Sequence, residues 1–315
     1  MNAKKQAALA ATPIAPEIKA GQSIELLKEL HILTREGKLN QDSRRKLKQV
    51  YHLYHFIEKL LDELRTEREV PDGQVQKKNS LPITLADHGA GKSYLGFILY
   101  DLFFKTLQSG HIYGIETRSE LVQKSRELAQ RLGFERMSFL NLSVQESAQS
   151  ADLPERIDVV TALHACDTAT DDAIAFGLQK QARFMVLVPC CQAEVARVLS
   201  ASKVLSLNRT PLAELWRHPL HTREMGSQIT NVLRCLYLEA WGYQVTVTEL
   251  VGWEHSMKNE LIIARHLGRI DGPKKRVAAE RLTAILDEFG LTALLASRFR
   301  LPEELTSGNK PETFA

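Results

Sequence analysis

The stretch richest in chemical groups is Leu85-Ala-Asp87-His88-Gly89-Ala-Gly91-Lys92-Ser93-Tyr94, an apolar run that enters a glycine-rich turn and opens a helical pattern at Tyr94. Such a turn lets a ligand approach bare backbone and meet the N–H groups at the helix start. Three ligand classes compete for it. A phosphate-binding loop, G-x-x-x-x-G-K-[ST], is matched by Gly91-Lys92-Ser93, but Ala86 stands where its first glycine belongs and Asp87 would set a carboxylate beside the phosphates. A dinucleotide loop, G-x-G-x-x-G, fails at Tyr94, whose ring would obstruct the approach of a pyrophosphate. A phosphate-free ligand with a positively charged amino-acid end has use for Asp87 at the strand end and for the room left by Gly89 and Gly91. S-adenosylmethionine is such a ligand. The next apolar run, His111-Ile-Tyr-Gly-Ile-Glu116, ends in a second carboxylate, placed where an acid accepts both hydroxyls of a ribose.

Two later apolar runs are each followed by reactive side chains: His164, Cys166 and Asp167 after Ile157–Leu163, and Pro189, Cys190, Cys191 and Gln192 after Phe184–Val188. Three cysteines and a histidine are a known zinc set, but adjacent cysteines rarely reach one tetrahedral centre together and no C-x-x-C spacing occurs, so no metal is expected. A methyl acceptor held in line with a sulfonium needs positioning above all. His164 or Asp167 would serve as general base if the acceptor is a hydroxyl. Small buried packing residues remain the alternative for Cys166 and Cys190, and a hydrogen-bonded loop residue for His164.

The elements that must position these groups read as follows. From Ser23 to about Arg68, Leu26, Leu27, Leu30, then Leu47, Leu53, Ile57, Leu60, Leu61 and Leu64 recur at helical spacing, with Asn40 placed to cap the second helix. Residues 69–80 are polar and turn-rich, a linker. After Leu81 short apolar runs alternate with helical patterns: Ile83–Ala86, a helix from Tyr94, His111–Ile115, Ser119–Leu132, Met137–Leu140, Ile157–Leu163, Asp171–Gln181 and Phe184–Val188. That alternation predicts βαβ units and a mainly parallel sheet. A helix over Met225–Trp241 then leads to two strands without a helix between them, Tyr243–Val251 and Glu260–Arg265, which predicts one reversed strand.

The run Asp87-x-Gly89-x-Gly91-Lys92-x-Tyr94-Leu95, with Gly114-Ile115-Glu116, His164-Ala165-Cys166-Asp167-x-x-Thr170-Asp171 and Pro189-Cys190-Cys191-Gln192, resembles the class I, Rossmann-like methyltransferases. More narrowly, it is similar to the branch with His-Ala-Cys after strand four and Pro-Cys-Cys after strand five. The resemblance covers about residues 81–265. It implies a seven-stranded α/β sheet with a reversed last strand, S-adenosylmethionine as cofactor, and a methyl-transfer site where the two cysteine-bearing loops meet. It also implies cofactor contacts from Asp87, Gly89, Gly91, Ser93, Tyr94 and Glu116, and adenine packing by Ser143 and Val144 in the loop Asn141–Gln145. Ser93 stands where many methyltransferases carry a third glycine. Trp253-Glu-His-Ser-Met-Lys258-Asn259 matches the Lys-Asn that the branch tends to carry before its last strand.

The division that follows is a flexible arm (1–20), helices and linker (21–80), a methyltransferase domain (81–268), and a C-terminal helix, Arg276–Phe289, with a loose tail (269–315). Among 315 residues, 41 Lys and Arg against 38 Asp and Glu exclude a polycation but leave room for local basic faces. Basic runs at Arg44–Lys48, Arg217–Arg223 and Lys274–Arg276, expected to lie around the active-site rim, the middle one set among Trp216, His218 and His221, point to RNA as acceptor. The rival readings are a protein or small-molecule acceptor, or a non-catalytic nucleic-acid-binding adapter. Four cysteines are too few for a secreted disulfide framework, so a cytoplasmic location is expected. No apolar run reaches the roughly 18 residues of a membrane span.

Overall fold

Apolar runs of five to seven residues in this chain become strands, and the sheet they build sets the position of everything else. The computed structural model describes residues 17–68, 81–163, 165, 167–189, 192–201, 211–250, 260–268 and 272–306. Helices α1 (Ile24–Glu29) and α2 (Gln41–Arg68) come first. They are followed by β1 (Thr84–His88), α3 (Tyr94–Leu99), β2 (His111–Glu116), α4 (Ser119–Arg131), β3 (Met137–Asn141), α5 (Val144–Gln149), β4 (Val159–Leu163), α6 (Ala169–Gln179) and β5 (Phe184–Val188). Then come α7 (Glu194–Ala201), a 3-10 turn (Pro211–Trp216), α8 (Pro219–Ala240), β6 (Tyr243–Glu249), β7 (Glu260–His266), α9 (Gly272–Glu288) and two short helices, α10 (Ala293–Ser297) and α11 (Glu303–Thr306).

The strands form one seven-stranded sheet in the order β3-β2-β1-β4-β5-β7-β6. β1 to β5 pair in parallel, while β7 runs antiparallel to both β5 and β6. The expected α/β sheet with a reversed last strand is therefore present. β1 and β5 are buried along their whole length because helices cover both faces of the sheet. On one face α1, α2, α3 and α4 share a buried cluster with Leu85, Ile112, Val159, Phe184 and Leu261. On the other face α6, α8 and α9 bury Ala86, Val160, Met185, Leu187 and Ile262.

The N-terminal helices are fastened to the sheet by polar contacts as well. Asn40 Oδ1 accepts from Ser43 N at 2.7 Å, the expected cap of α2. At the other end of α2, Arg68 pairs with Asp158 beside the start of β4, and Arg183, just before β5, pairs with Glu67 at 2.8 Å. After α3 the helix widens into a π turn over Tyr100–Phe104, where buried Asp101 accepts from Ser23 N at 2.7 Å and locks α1 in place. Among the described residues no helix is long and apolar enough to cross a membrane.

Three expectations are corrected. α8 begins at Pro219, six residues before the expected Met225, because Pro at the first helical position is pre-set for a helix start. Asn141–Gln145 is not a loop throughout: Ser143 caps α5, its Oγ accepting from Glu146 N while Ser143 N donates to Glu146 Oε2 at 2.7 Å. Lys274–Arg276 does not join the other basic runs. β7 runs antiparallel, so it delivers α9 to the amino-terminal edge of the parallel strands, where Lys275 lies over Gly242 at the start of β6. The arm (1–16), the linker (69–80), the Trp253–Asn259 cluster and the tail from 307 lie outside the described residues.

Candidate active site

Parallel strands present their carboxyl ends at one edge, and the loops after β1, β2, β3, β4 and β5 gather there. Asp87, next to last in β1, is 2% exposed and accepts a hydrogen bond from Thr161 Oγ1 of β4 at 2.8 Å. Burial pushes its pKa up to about 6; the Thr161 bond and the nearby Ser93 hydroxyl oppose that rise, and the charge of Glu116 adds to it. No cation pairs with Asp87 among the described residues, so the carboxylate is a buried charge lacking a counter-ion. The neighbouring His88, 4% exposed, faces the opposite side of the sheet against Phe176, with neither ring nitrogen hydrogen-bonded. Burial lowers its pKa to about 4, so it is neutral at physiological pH.

The turn after β1 is built by left-handed backbone at Gly89 (φ 69°), Gly91 (φ 57°) and Ser93 (φ 51°). A Cβ at either glycine would meet only ordinary contacts, so these glycines are required by backbone conformation rather than by space. Ser93 adopts the same conformation with a side chain, and its Oγ is buried between Gly96 and Gly114 without completing a hydrogen bond. A non-glycine in this region carries about 1–2 kcal/mol of strain. Ser93→Gly is accordingly expected to raise stability by about 1 kcal/mol, read as a higher melting temperature; an unchanged or lower value would show that the hydroxyl fills its niche usefully.

Glu116 closes β2 and faces this turn. Its Oε2 accepts from Gly91 N at 2.8 Å, and its Oε1 from Arg118 N at 3.0 Å and Arg118 Nε at 3.1 Å. Burial works to raise its pKa, but the bonds from Arg118 and Gly91 outweigh it and hold it at about 2. The Arg118 guanidinium thus places N–H donors on a carboxylate that a ribose diol would otherwise address. Asn141 Nδ2 steadies the same loop by donating to the carbonyls of Glu116 and Thr117.

Tyr94 is not brought to this cradle. Its backbone opens α3, and its ring packs against the buried cluster of the α1–α4 face, lining with Lys92 a cavity between α1 and α4. Lys92 accordingly faces away from the turn, which disfavours the phosphate-loop reading. The Val144 side chain is outside the described residues; its backbone begins α5.

Of the second group, His164, Cys166, Cys190 and Cys191 lie outside the described residues, and Asp167 is described. Asp167, at φ 51°, accepts at Oδ1 from Ala193 N (2.9 Å) and Glu194 N (3.2 Å), and at Oδ2 from Arg197 at 3.1 Å. Burial raises its pKa, but these donors prevail and lower it. The carboxylate expected as a general base is therefore engaged as the cap of α7, binding the loop after β4 to the loop after β5. A larger tie that local sequence did not signal is centred on Arg234 of α8, which is 0% exposed. It donates twice to Asp171 (2.7 and 2.8 Å), to the carbonyl of Asp167 (2.9 Å) and to Asn231 Oδ1 (3.1 Å). Asn231 Oδ1 also accepts from Gln192 Nε2 at 2.9 Å, and Asn231 Nδ2 donates to Glu260 at 2.6 Å. Among the described residues no group of three or more possible metal ligands gathers.

Two basic segments reach the carboxyl edge, one on each face. α2 has its far end at the amino edge, so Arg44, Arg45, Lys46 and Lys48 come to the other. Gly226 packs on Ala196 of α7, which follows β5, so Arg217 and Arg223 lie at the same edge on the α8 face, ion-paired with Glu214 and Glu224.

The sheet order and the reversed β7 are those of the Rossmann-like methyltransferase fold, and two carboxylates flank its left-handed glycine turn. Residues 45–198, just under half of the chain, match the model of the Methyltransferase domain family, Methyltransf_32. The protein is a methyltransferase, and its cofactor is S-adenosylmethionine. No curated protein matches the sequence. Among solved structures the chain is similar to an rRNA methylase from Streptococcus thermophilus, at 11% identity over 59% of this chain and 87% of that one, with a TM-score of 0.36. It is similar also to the Methanococcus jannaschii fibrillarin pre-rRNA processing protein (12% identity, 62% and 71% covered, TM-score 0.37). A third is the magnesium protoporphyrin IX methyltransferase of Synechocystis PCC 6803 with bound SAH (12% identity, 77% and 93% covered, TM-score 0.39). These overlaps are loose, and no acceptor follows from them.

Proposed function

We propose that this enzyme transfers its methyl group to RNA, with residues 81–268 carrying the cofactor and the acceptor loops. The observation that carries the reading is the convergence of cationic segments, Arg44–Lys48 on one face and Arg217–Arg223 on the other, at the sheet edge that holds the cofactor cradle. A polyanionic acceptor draped over that edge would meet both. The cradle suits S-adenosylmethionine: Asp87 is a buried carboxylate lacking a cation, and Glu116 is an ionised carboxylate already accepting N–H donors. Asp87 would hold the ammonium of the amino-acid end, the Gly89–Gly91 backbone would lie along it, and Glu116 would accept the ribose hydroxyls. Ser143 and Val144 would border the adenine. When bound, the cofactor supplies an electrophilic methyl group on a sulfonium.

The chain's own contribution to transfer is placement of the acceptor in line and exclusion of water. Asp167 does this indirectly, by fixing the loops that carry His164, Cys166, Cys190 and Cys191, the candidates for the acceptor wall. The assay is transfer of labelled methyl to total RNA, total protein and the small-molecule fraction from cells lacking this chain. Label in RNA is expected; label confined to protein or small molecules would overturn the reading. By calorimetry, Glu116→Ala is expected to weaken SAH binding about 10–100-fold, since hydrogen bonds to a charged group are lost, with the fold unchanged.

A further inference from the structure

We infer that the groove between the first half of α2 and the end of β6 seats the RNA strand that flanks the methylated nucleotide, an assignment that rests on the RNA reading above. Arg44, Lys48, Tyr51, His52 and His55 recur at intervals of three and four residues, so they form a stripe along one face of α2. They line a cavity of about 670 Å³ whose other walls include Glu17 and Glu249. Glu249 ends β6, and β6 runs in the direction of β5, so the groove opens at the carboxyl edge on the side of the acceptor loops.

The lining combines the two chemistries that single-stranded nucleic acid needs. Arg44 and Lys48, one helical turn apart, offer cations to successive phosphates, while His52 and His55 offer exposed rings to bases beside the half-buried Tyr51. The pairing of Arg44 does not seal it. Arg44 meets Glu17 at 3.1 Å with both side chains about half exposed, a pairing worth only about 0–1 kcal/mol that a phosphate can displace. His55 lies 3.6 Å from Glu58. Burial, then the positive charges of His55 and Lys48, lowers the His52 pKa, which marks a locally cationic field. A strand enters a concavity of this size, whereas a flat lipid surface does not.

The experiment measures binding of a mixed-sequence single-stranded RNA oligonucleotide by fluorescence anisotropy from about 50 to about 200 mM salt, with SAH calorimetry as the control for fold. Arg44→Ala/Lys48→Ala is expected to weaken binding at least about tenfold and to flatten the salt slope by about 1.4, about 0.7 per cation removed on a single strand. His52→Ala/His55→Ala should weaken binding about tenfold and leave the slope unchanged. Arg44→Lys/Lys48→Arg should restore both quantities. Unchanged affinity and slope in the alanine pairs, or failure of the charge-preserving pair, with SAH binding intact, overturns the groove. If the native chain methylates RNA while the alanine pairs bind it normally, the groove alone fails. If the native chain neither binds nor methylates RNA, the substrate reading fails with it.

Discussion

Asp87→Asn is expected to abolish measurable cofactor binding and at the same time to raise the melting temperature. The two effects share one cause. The folded protein holds the Asp87 carboxylate at a pKa of about 6 against an ordinary 3.8, so the fold favours its protonated form. Because the folded pKa lies above the unfolded one, the carboxyl destabilises the fold as pH rises from the unfolded value through about 6, and that cost is complete above it. Two units correspond to on the order of 3 kcal/mol at neutral pH. A neutral amide keeps the acceptor for Thr161 and gives its Nδ2 an acceptor in the otherwise unpartnered Ser93 Oγ. Cofactor affinity runs the opposite way. Pairing an ammonium with Asp87 requires the ionised carboxylate, so SAH affinity of the native protein should fall about tenfold between pH 7 and pH 5. The amide variant should show no such pH dependence in whatever binding remains. Calorimetry across that range, beside melting curves at neutral pH, decides the matter. A variant that melts lower and still binds SAH would remove Asp87 from the cradle.

That trade was partly legible in the chain. An acid at a strand end before Gly-x-Gly, followed by a second acid at the end of the next apolar run, is a local pattern, and strand ends are readable because period-two and apolar runs stop abruptly at turns. α5 was not read: Ser143 and Glu146 stand at capping-box spacing, but its polar sequence lacks an apolar face and reads as loop. What could not be read was distance. Thr161 lies 74 residues beyond Asp87, and Arg234 lies 67 beyond Asp167; no local period encodes either pairing. The misplacement of Lys274–Arg276 has the same root, because reversing one strand moves everything after it to the opposite edge of the sheet. Tyr94 illustrates a subtler limit: it stands at the start of the helix after the turn, yet a helix start can aim the side chain at the core behind the turn as readily as at the ligand in front of it.

The second large effect is expected at Arg234. Removing it alone, as Arg234→Met, leaves Asp171 buried without its partner and should cost about 3–5 kcal/mol, enough to leave little folded protein. The informative variant is therefore Arg234→Met with Asp171→Leu. Replacing a buried ion pair by apolar side chains of similar volume is often neutral, so this pair should recover most of the stability. Methyl transfer should not recover with it. The guanidinium also donates to the carbonyl of Asp167 and to Asn231, and Asn231 in turn holds Gln192 and Glu260. Leucine and methionine supply none of these bonds, so the loops after β4 and β5 keep only the Asp167 tie to α7 as a common anchor, while β1 and β2, which carry the cradle, are untouched. The expected signature is a fall in kcat of about 100-fold with SAH affinity within about twofold of the native value, the pattern of an interaction that matters only when the acceptor must be aligned. Full recovery of both stability and turnover would make Arg234 a packing element and nothing more. Loss of SAH affinity in parallel with turnover would mean that the hub supports the cofactor side of the edge as well, and that the two halves of the site are not separable.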